Sequence, residues 1–155
     1  MKYRETIFFV CLGFAKNPLD AEELTQETYL KAYKNINNIK SKETAKEWLF
    51  KIARNTCLDN TKKARLRRFL RLEEEKEPVE GKNPEAQLLW NEQLRLLKKS
   101  ISNLPDKLRE VFILREYGLL SYQEISRSLG IKEGTVMSRL RRARQAVMDR
   151  LRSEQ

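Results

Sequence analysis

Six arginines and a single acid fall between positions 139 and 152, directly after a stretch that carries Thr135 and Ser138. At about 100° per residue of helix, Thr135, Ser138, Arg141, Arg142 and Gln145 turn away from Val136 and Leu140, and Arg139 joins them as a further candidate for DNA contact. Hydroxyl, amide and guanidinium groups in that arrangement bond base edges and phosphates. Arg142 is the leading candidate for a base contact, because its planar fork matches the two acceptors of guanine. A solvated surface face is the plain alternative, but so one-sided a charge balance argues against it.

A second constellation lies upstream. Trp48, Lys51, Arg54 and Asn55 share one stretch, and the run 62–71, beginning with Lys62 and Lys63, holds six cations and no anion. An indole can stack on a base, an amide can bond its edge, and ammonium and guanidinium groups can follow a nucleic-acid backbone. Trp48 also fits a role as core, and a charge run is often only solvated surface. A third, largely acidic group, Glu22, Glu23, Gln26 and Glu27, with Lys31, makes up the polar face of another stretch.

These residues need helices to position them. Only five Gly and four Pro occur in 155 residues, and Leu, Glu, Lys and Arg dominate, so the chain reads as all-α. Asp20 with Glu23 is expected to cap a helix over 20–36 with Ala21, Leu24, Tyr29, Ala32, Tyr33 and Ile36 inward. Thr44 with Glu47 is expected to cap the next, burying Trp48, Leu49, Ile52, Ala53 and Thr56 and reaching Thr61 or beyond. Segment 73–84 (EEEKEPVEGKNP) has the composition of a solvated linker. The expected organisation is therefore two small helical modules, 1–71 and 85–155, joined by a tether over 72–84. In the second module, helices are expected over 85–102 and 106–117, the latter closed by a left-handed Gly118. Ser121 and Glu124 form a capping box, Gly130 makes a tight turn, and a last helix over 133–152 buries Val136, Leu140, Ala143, Val147 and Leu151. A short capped helix, a glycine turn and a longer basic helix make a helix-turn-helix, whose second helix enters the major groove.

Composition narrows the function further. Lys and Arg number 32 against 22 Asp and Glu, and the net charge of +10 favours a polyanionic partner. No His occurs, and Cys11 and Cys57 stand apart, so no metal site, cofactor or disulfide framework is suggested and a cytoplasmic location fits. The apolar run 7–15 is too short for a membrane span, which needs about 20 residues, and lacks a signal-peptide cleavage pattern. Neither paired carboxylates in a pocket-like context nor a phosphate-cradling glycine loop points to an enzyme.

Segments 20–33 (DAEELTQETYLKAY) and 48–55 (WLFKIARN), with Asp59, resemble region 2 of the extracytoplasmic-function sigma factors of bacterial RNA polymerase. Segments 104–115 (LPDKLREVFILR), 120–125 (LSYQEI), 130–136 (GIKEGTV) and 138–144 (SRLRRAR) resemble their region 4. The resemblance covers nearly the whole chain. It implies a non-enzymatic subunit that binds core RNA polymerase through the beta-prime clamp helices and the beta flap. It further implies capture of the melted minus-ten strand by the 35–46 loop and the Trp48, Lys51, Asn55 face, reading of the minus-thirty-five duplex by region 4, and an anti-sigma partner. Glu22, Glu23, Gln26 and Glu27 match the clamp-docking helix. Met137 stands where the family often has Lys or Arg. Gly118 stands one place before the family's glycine, a shift expected to matter little to the turn. The competing reading is an autonomous helix-turn-helix repressor, which would normally dimerise.

Overall fold

The computed structural model describes residues 2–15, 17–70 and 86–154, with the backbone alone for 86–91. The linker expected over 72–84 lies outside the described residues. Among the described residues seven α-helices follow in order: α1 (Arg4–Phe14), α2 (Pro18–Lys34), α3 (Ala45–Phe69), α4 (Ala86–Ser102), α5 (Asp106–Glu116), α6 (Tyr122–Leu129) and α7 (Glu133–Ser153). Two single 3-10 turns, Ile36–Asn38 and Lys42–Thr44, carry the chain from α2 to α3. No strand occurs among the described residues, so the all-α expectation holds.

The apolar run at the N-terminus becomes α1, whose Ile7, Val10 and Cys11 are fully buried. It packs with α2 and α3 into the first module around Leu24, Phe50 and Ala53. Cys11 and Cys57 meet in this core, Sγ to Sγ 3.7 Å, as free thiols. Thr25 and Thr28 are also fully buried; their hydroxyls donate to the carbonyls of Ala21 and Leu24, each at 2.7 Å, so neither is an unsatisfied polar group.

Two expected caps are displaced. Asn17, not Asp20, caps α2. Its Oδ1 accepts from the Asp20 N–H at 2.9 Å, and Pro18 supplies the preset first-turn backbone. Thr44 makes no side-chain cap. The 3-10 turn runs straight into α3, so the capping oxygen moves back to Ser41, which accepts from the Thr44 N–H at 3.3 Å. Glu47 is thereby released from capping and becomes buried. The buried stripe of α3 is correspondingly rotated to Phe50, Ala53, Thr56 and Cys57, leaving Trp48, Leu49 and Ile52 half-buried. The helix expected over 20–36 ends at Lys34; Tyr33 near its end and Ile36, in the 3-10 turn beyond it, prove exposed rather than inward.

The second module follows its sequence signals more closely. The Ser121–Glu124 capping box forms in both directions, at 3.1 and 3.0 Å, and Gly130 takes a left-handed φ of 65°. Val136, Leu140, Ala143 and Val147 form the buried face of α7, with Leu151 half-buried below them. Gly118 departs from expectation. The left-handed residue after α5 is Leu119, at φ 54°. A Cβ on Gly118 would stand 2.7 Å from the Leu114 carbonyl oxygen and 3.1 Å from Val10 Cγ2. The glycine is therefore required for close approach, and its neighbour carries the turn.

The two modules do not stand apart. α5 packs on α1 and α6 packs on α3, so the buried apolar residues of both join in one continuous core.

Candidate nucleic-acid interface

Along α3, Trp48, Lys51, Asn55 and Lys62 fall within about 60° of one another at the ideal helical turn. Lys51, Asn55 and Lys62 are exposed and Trp48 is half-buried, which leaves an edge with an aromatic at one end and cations along it. Lys63 is exposed about 100° further round. Arg54 lies beside this edge, but its guanidinium is engaged. Nη1 donates to Asn55 Oδ1 at 2.8 Å, while Nε and Nη2 donate to Glu110 Oε2 of α5 at 3.0 and 2.7 Å. Arg65, within the basic run, pairs with Asp106 at 3.2 Å.

On α7, Thr135, Ser138 and Arg142 cluster within about 60°, with Arg139 further toward the core side and Gln145 and Arg141 on the other flank. Arg141 and Arg142 are exposed; Thr135 and Arg139 are half-buried. The Ser138 hydroxyl donates to the Thr135 carbonyl at 3.1 Å, and the Gln145 amide donates to Asp149 at 2.8 Å. The six residues therefore span an arc too wide for a single base-reading line, and Thr135, Ser138 and Arg142 are its compact centre. A shallow groove lined by Tyr122, Met137, Leu140, Arg141, Arg144, Gln145 and Met148 borders the Arg141 and Gln145 flank of this arc. Arg144 is spent on Glu116, at 2.7 Å, which raises its already high pKa.

The acidic helix α2 presents Glu23, Gln26 and Glu27 outward, with Glu27 paired to Lys31 at 3.0 Å. Glu22 is tied to Arg4 of α1. The sequence signals single out neither Leu19 nor Leu30 and set Tyr33 inward, yet the three are 70%, 61% and 78% exposed and lie on the same ridge as Glu23 and Gln26. Their phase, away from Ala21, Leu24 and Ala32, was the signal.

Carboxylates at the module boundary respond to their cationic neighbours. The Arg65 bond, with Arg109 and Lys62 nearby, holds the Asp106 carboxyl below its ordinary range despite partial burial. Burial pushes Glu124 up, but bonds from Lys46 and Ser121 outweigh it and leave that carboxyl lowered. Among the described residues, no cluster of His, Cys, Asp and Glu is placed to hold a metal ion, and no helix is long and apolar enough to cross a membrane.

Comparison with known proteins gives this geometry its context. Residues 1–67 match the family model for sigma-70 region 2 and residues 94–147 that for sigma-70 region 4. The chain is 30% identical to the ECF RNA polymerase sigma factor SigW of Bacillus subtilis, covering 97% of this chain and 85% of that protein. It is 32% identical to the RNA polymerase sigma-H factor of Pseudomonas aeruginosa, covering 95% and 81%. It is also 31% identical to the ECF sigma factor SigE of Mycolicibacterium smegmatis, where the match covers 97% of this chain but only 59% of the relative. Among solved structures, the fold is similar to that of the sigma factor RpoE bound to the anti-sigma factor NepR from Bartonella quintana. The TM-score is 0.76 at 23% identity, over 99% of this chain and 94% of that one. CnrH in complex with the cytosolic domain of CnrY has a TM-score of 0.70 at 20% identity, over 99% and 85%. With region 2 and region 4 in order on one chain, and relatives of this identity along nearly its whole length, the chain belongs to the sigma-70 family of RNA polymerase sigma factors, in its extracytoplasmic-function branch.

Proposed function

We propose that this chain binds core RNA polymerase, directs it to a set of promoters and helps to melt them, with all bond-making left to the polymerase. The observation that carries this reading is the pairing of a base-capturing edge on α3 with a base-reading helix, α7, in one chain. The α2 ridge of Leu19, Glu23, Gln26, Leu30 and Tyr33 is the docking surface for the beta-prime clamp helices, and the second module meets the beta flap. Trp48, Lys51 and Asn55, with Arg54, Lys62 and Lys63 beside them, take the unstacked minus-ten strand. Stacking on an aromatic, at roughly 1–3 kcal/mol per base, is comparable with the few kcal/mol that extruding a base costs. Thr135, Ser138, Arg139, Arg141, Arg142 and Gln145 contact the minus-thirty-five duplex. The site of action is the cytoplasm, and an anti-sigma protein, of the kind bound in the two structural relatives, is the regulatory partner.

The test is run-off transcription with core polymerase, beside a gel shift of the same promoter by the chain alone. Transcription only when chain and core are combined supports the reading. A specific shift by the chain alone, without any effect on core, identifies a repressor instead.

A further inference from the structure

The first module holds a pair of nucleophiles that neither polymerase docking nor promoter reading uses. Cys11 of α1 and Cys57 of α3, both cysteines of the chain, are 46 positions apart in sequence, yet their sulfurs lie 3.7 Å apart. Both are fully buried and both are free thiols. A helix contact alone needs only small apolar side chains, such as Ala21 and Ala53 provide in the same core. Two sulfurs in contact can also do chemistry.

The pair is polarised. The Cys57 S–H donates to Cys11 Sγ. That bond holds the Cys11 thiol below its ordinary pKa against the opposing effect of burial, and the same bond, with burial, pushes Cys57 well above its own. Cys11 is therefore the sulfur that ionises first, and the thiolate is the form that attacks. Cys57 keeps its proton until an electrophile stands beside it. Access runs through α1, which is eleven residues long and has no side-chain cap at its N-terminal end. A short helix of this kind opens locally without global unfolding, and its lifting admits a small oxidant to both sulfurs.

We propose that Cys11 and Cys57 form a reversible oxidation site, which a peroxide converts to a disulfide that fastens α1 to α3 inside the first module. The Cys11 thiolate attacks one oxygen of hydrogen peroxide. An S–O bond forms, the O–O bond breaks, and the departing hydroxide leaves as water with the proton that Cys11 gave up. Cys57 then attacks the sulfenic sulfur. The S–S bond forms, the S–O bond breaks, and the second hydroxide takes the Cys57 proton as water. Two thiols are oxidised to one disulfide and one peroxide is reduced to two waters. The sulfurs close from 3.7 Å to about 2.0 Å, a small movement of two side chains and their helices. In a reducing compartment, thiol exchange returns the pair to its free form.

The test uses the full chain, with hydrogen peroxide as oxidant and dithiothreitol as reductant. Exposed to peroxide, the natural chain should stay monomeric and lose the mass of two hydrogens. Neither thiol should then alkylate after denaturation, peptide mapping should join the segments that carry Cys11 and Cys57, and dithiothreitol should reverse all of this. The oxidised chain should melt about 4 °C higher or more, because the bond closes a long loop of the unfolded chain. Cys57→Ser keeps a donor hydroxyl toward Cys11 and should stop at a sulfenic acid, captured by dimedone. Cys11→Ser should react at least about tenfold more slowly than Cys57→Ser, since its remaining thiol is the less acidic one. A natural chain that retains both thiols, proceeds to sulfinic acid or bonds only to other chains overturns the site. An oxidised chain that melts no higher than the reduced one overturns the fastening of α1 to α3, and equal rates for the two variants overturn Cys11 as the attacking sulfur. Where a variant fails to fold, the mass, the mapping and the melt of the natural chain still decide.

Discussion

Leu119 holds a left-handed backbone, φ 54°, directly after Gly118, which does not. The side chain of Leu119 is of little use there, being 75% exposed. Its Cβ strains that conformation by roughly 1–2 kcal/mol, whereas glycine takes it without penalty. The glycine stands at 118 instead because any Cβ there would collide with the Leu114 carbonyl and press on Val10. Leu119→Gly should therefore stabilise the chain by about 0.5–1 kcal/mol, the relieved strain being partly offset by the greater freedom of glycine in the unfolded state. Leu119→Ala should change little. Urea denaturation of the three proteins checks this, and a Leu119→Gly less stable than the natural chain would refute the account.

That pair also marks what the sequence made legible and what it did not. Local signals carried through intact: the Ser121–Glu124 box, the Gly130 turn and the α7 stripe all depend on residues within a few positions of each other. The failures share a different cause. Gly118 carries the sequence signature of a turn residue, and of its two constraints one, the Leu114 carbonyl, depends on how the chain leaves α5, while the other, Val10, lies more than a hundred positions away. Glu47 has the spacing of a capping partner, and Arg127, which donates to it, lies 80 positions away. Arg54 could be placed beside Trp48 and Asn55 by spacing, but its grip on Glu110 follows from how two modules pack, which no helical period records.

The boundary carboxylates give the fold a pH dependence of known sign. Asp106 and Glu124 both have lowered pKa values in the fold, through Arg65 and its neighbouring cations in one case, and in the other through Lys46 and Ser121 acting against burial. Each stabilises the fold fully above its unfolded value, near 4, and loses that contribution as pH falls through the lowered folded value. With no histidine in the chain, the contribution of these two groups should be level from pH 7 to about 5 and decline below about pH 4. Thermal melts across that range would follow it. Asp106→Asn with Glu124→Gln should flatten the acid slope, and an unchanged slope would remove these pairs from the explanation.

The α2 ridge predicts a separation of binding from folding. Leu30 and Tyr33 are largely exposed, so Leu30→Ala with Tyr33→Ala should leave the melting temperature within about a degree or two, as surface changes usually do. Affinity for core polymerase should nevertheless fall at least tenfold. Reversing Glu23 and Glu27 to Lys should abolish it, the second change also setting a lysine against Lys31. Pull-down with core, beside a melt of each variant, distinguishes docking from folding, and normal retention by core would sink the docking assignment.

Arg142 is exposed at the centre of the α7 cluster. Arg142→Ala should cost roughly 1–3 kcal/mol in the choice between bases at one position of the minus-thirty-five element, the worth of a bidentate contact. Binding of holoenzyme to a panel of single-base promoter variants would measure it. Equal weakening on every sequence would identify a phosphate contact.

Asn55 offers the most specific consequence of the α3 edge. It lies two helical turns beyond Trp48, with Lys51 between them, and all three face the same way. Its amide has one oxygen and two N–H groups, and in this structure Arg54 donates to the oxygen. Where a strand phosphate draws the Arg54 guanidinium away, the amide can both donate to and accept from the edge of an unstacked base. In holoenzyme, Asn55→Ala should lower the yield of open complex on duplex promoter and alter the preferred minus-ten base, while minus-thirty-five binding persists. Loss of a single contact should tip melting without abolishing it, because the remaining stacking is of the same size as the cost of unstacking, a few kcal/mol. The measurement compares duplex promoter with a pre-melted bubble carrying each of the four bases in turn. If Asn55→Ala lowers the yield on duplex but leaves base preference on the bubble unchanged, Asn55 supports Arg54 rather than reading a base, and base capture belongs wholly to the 35–46 loop.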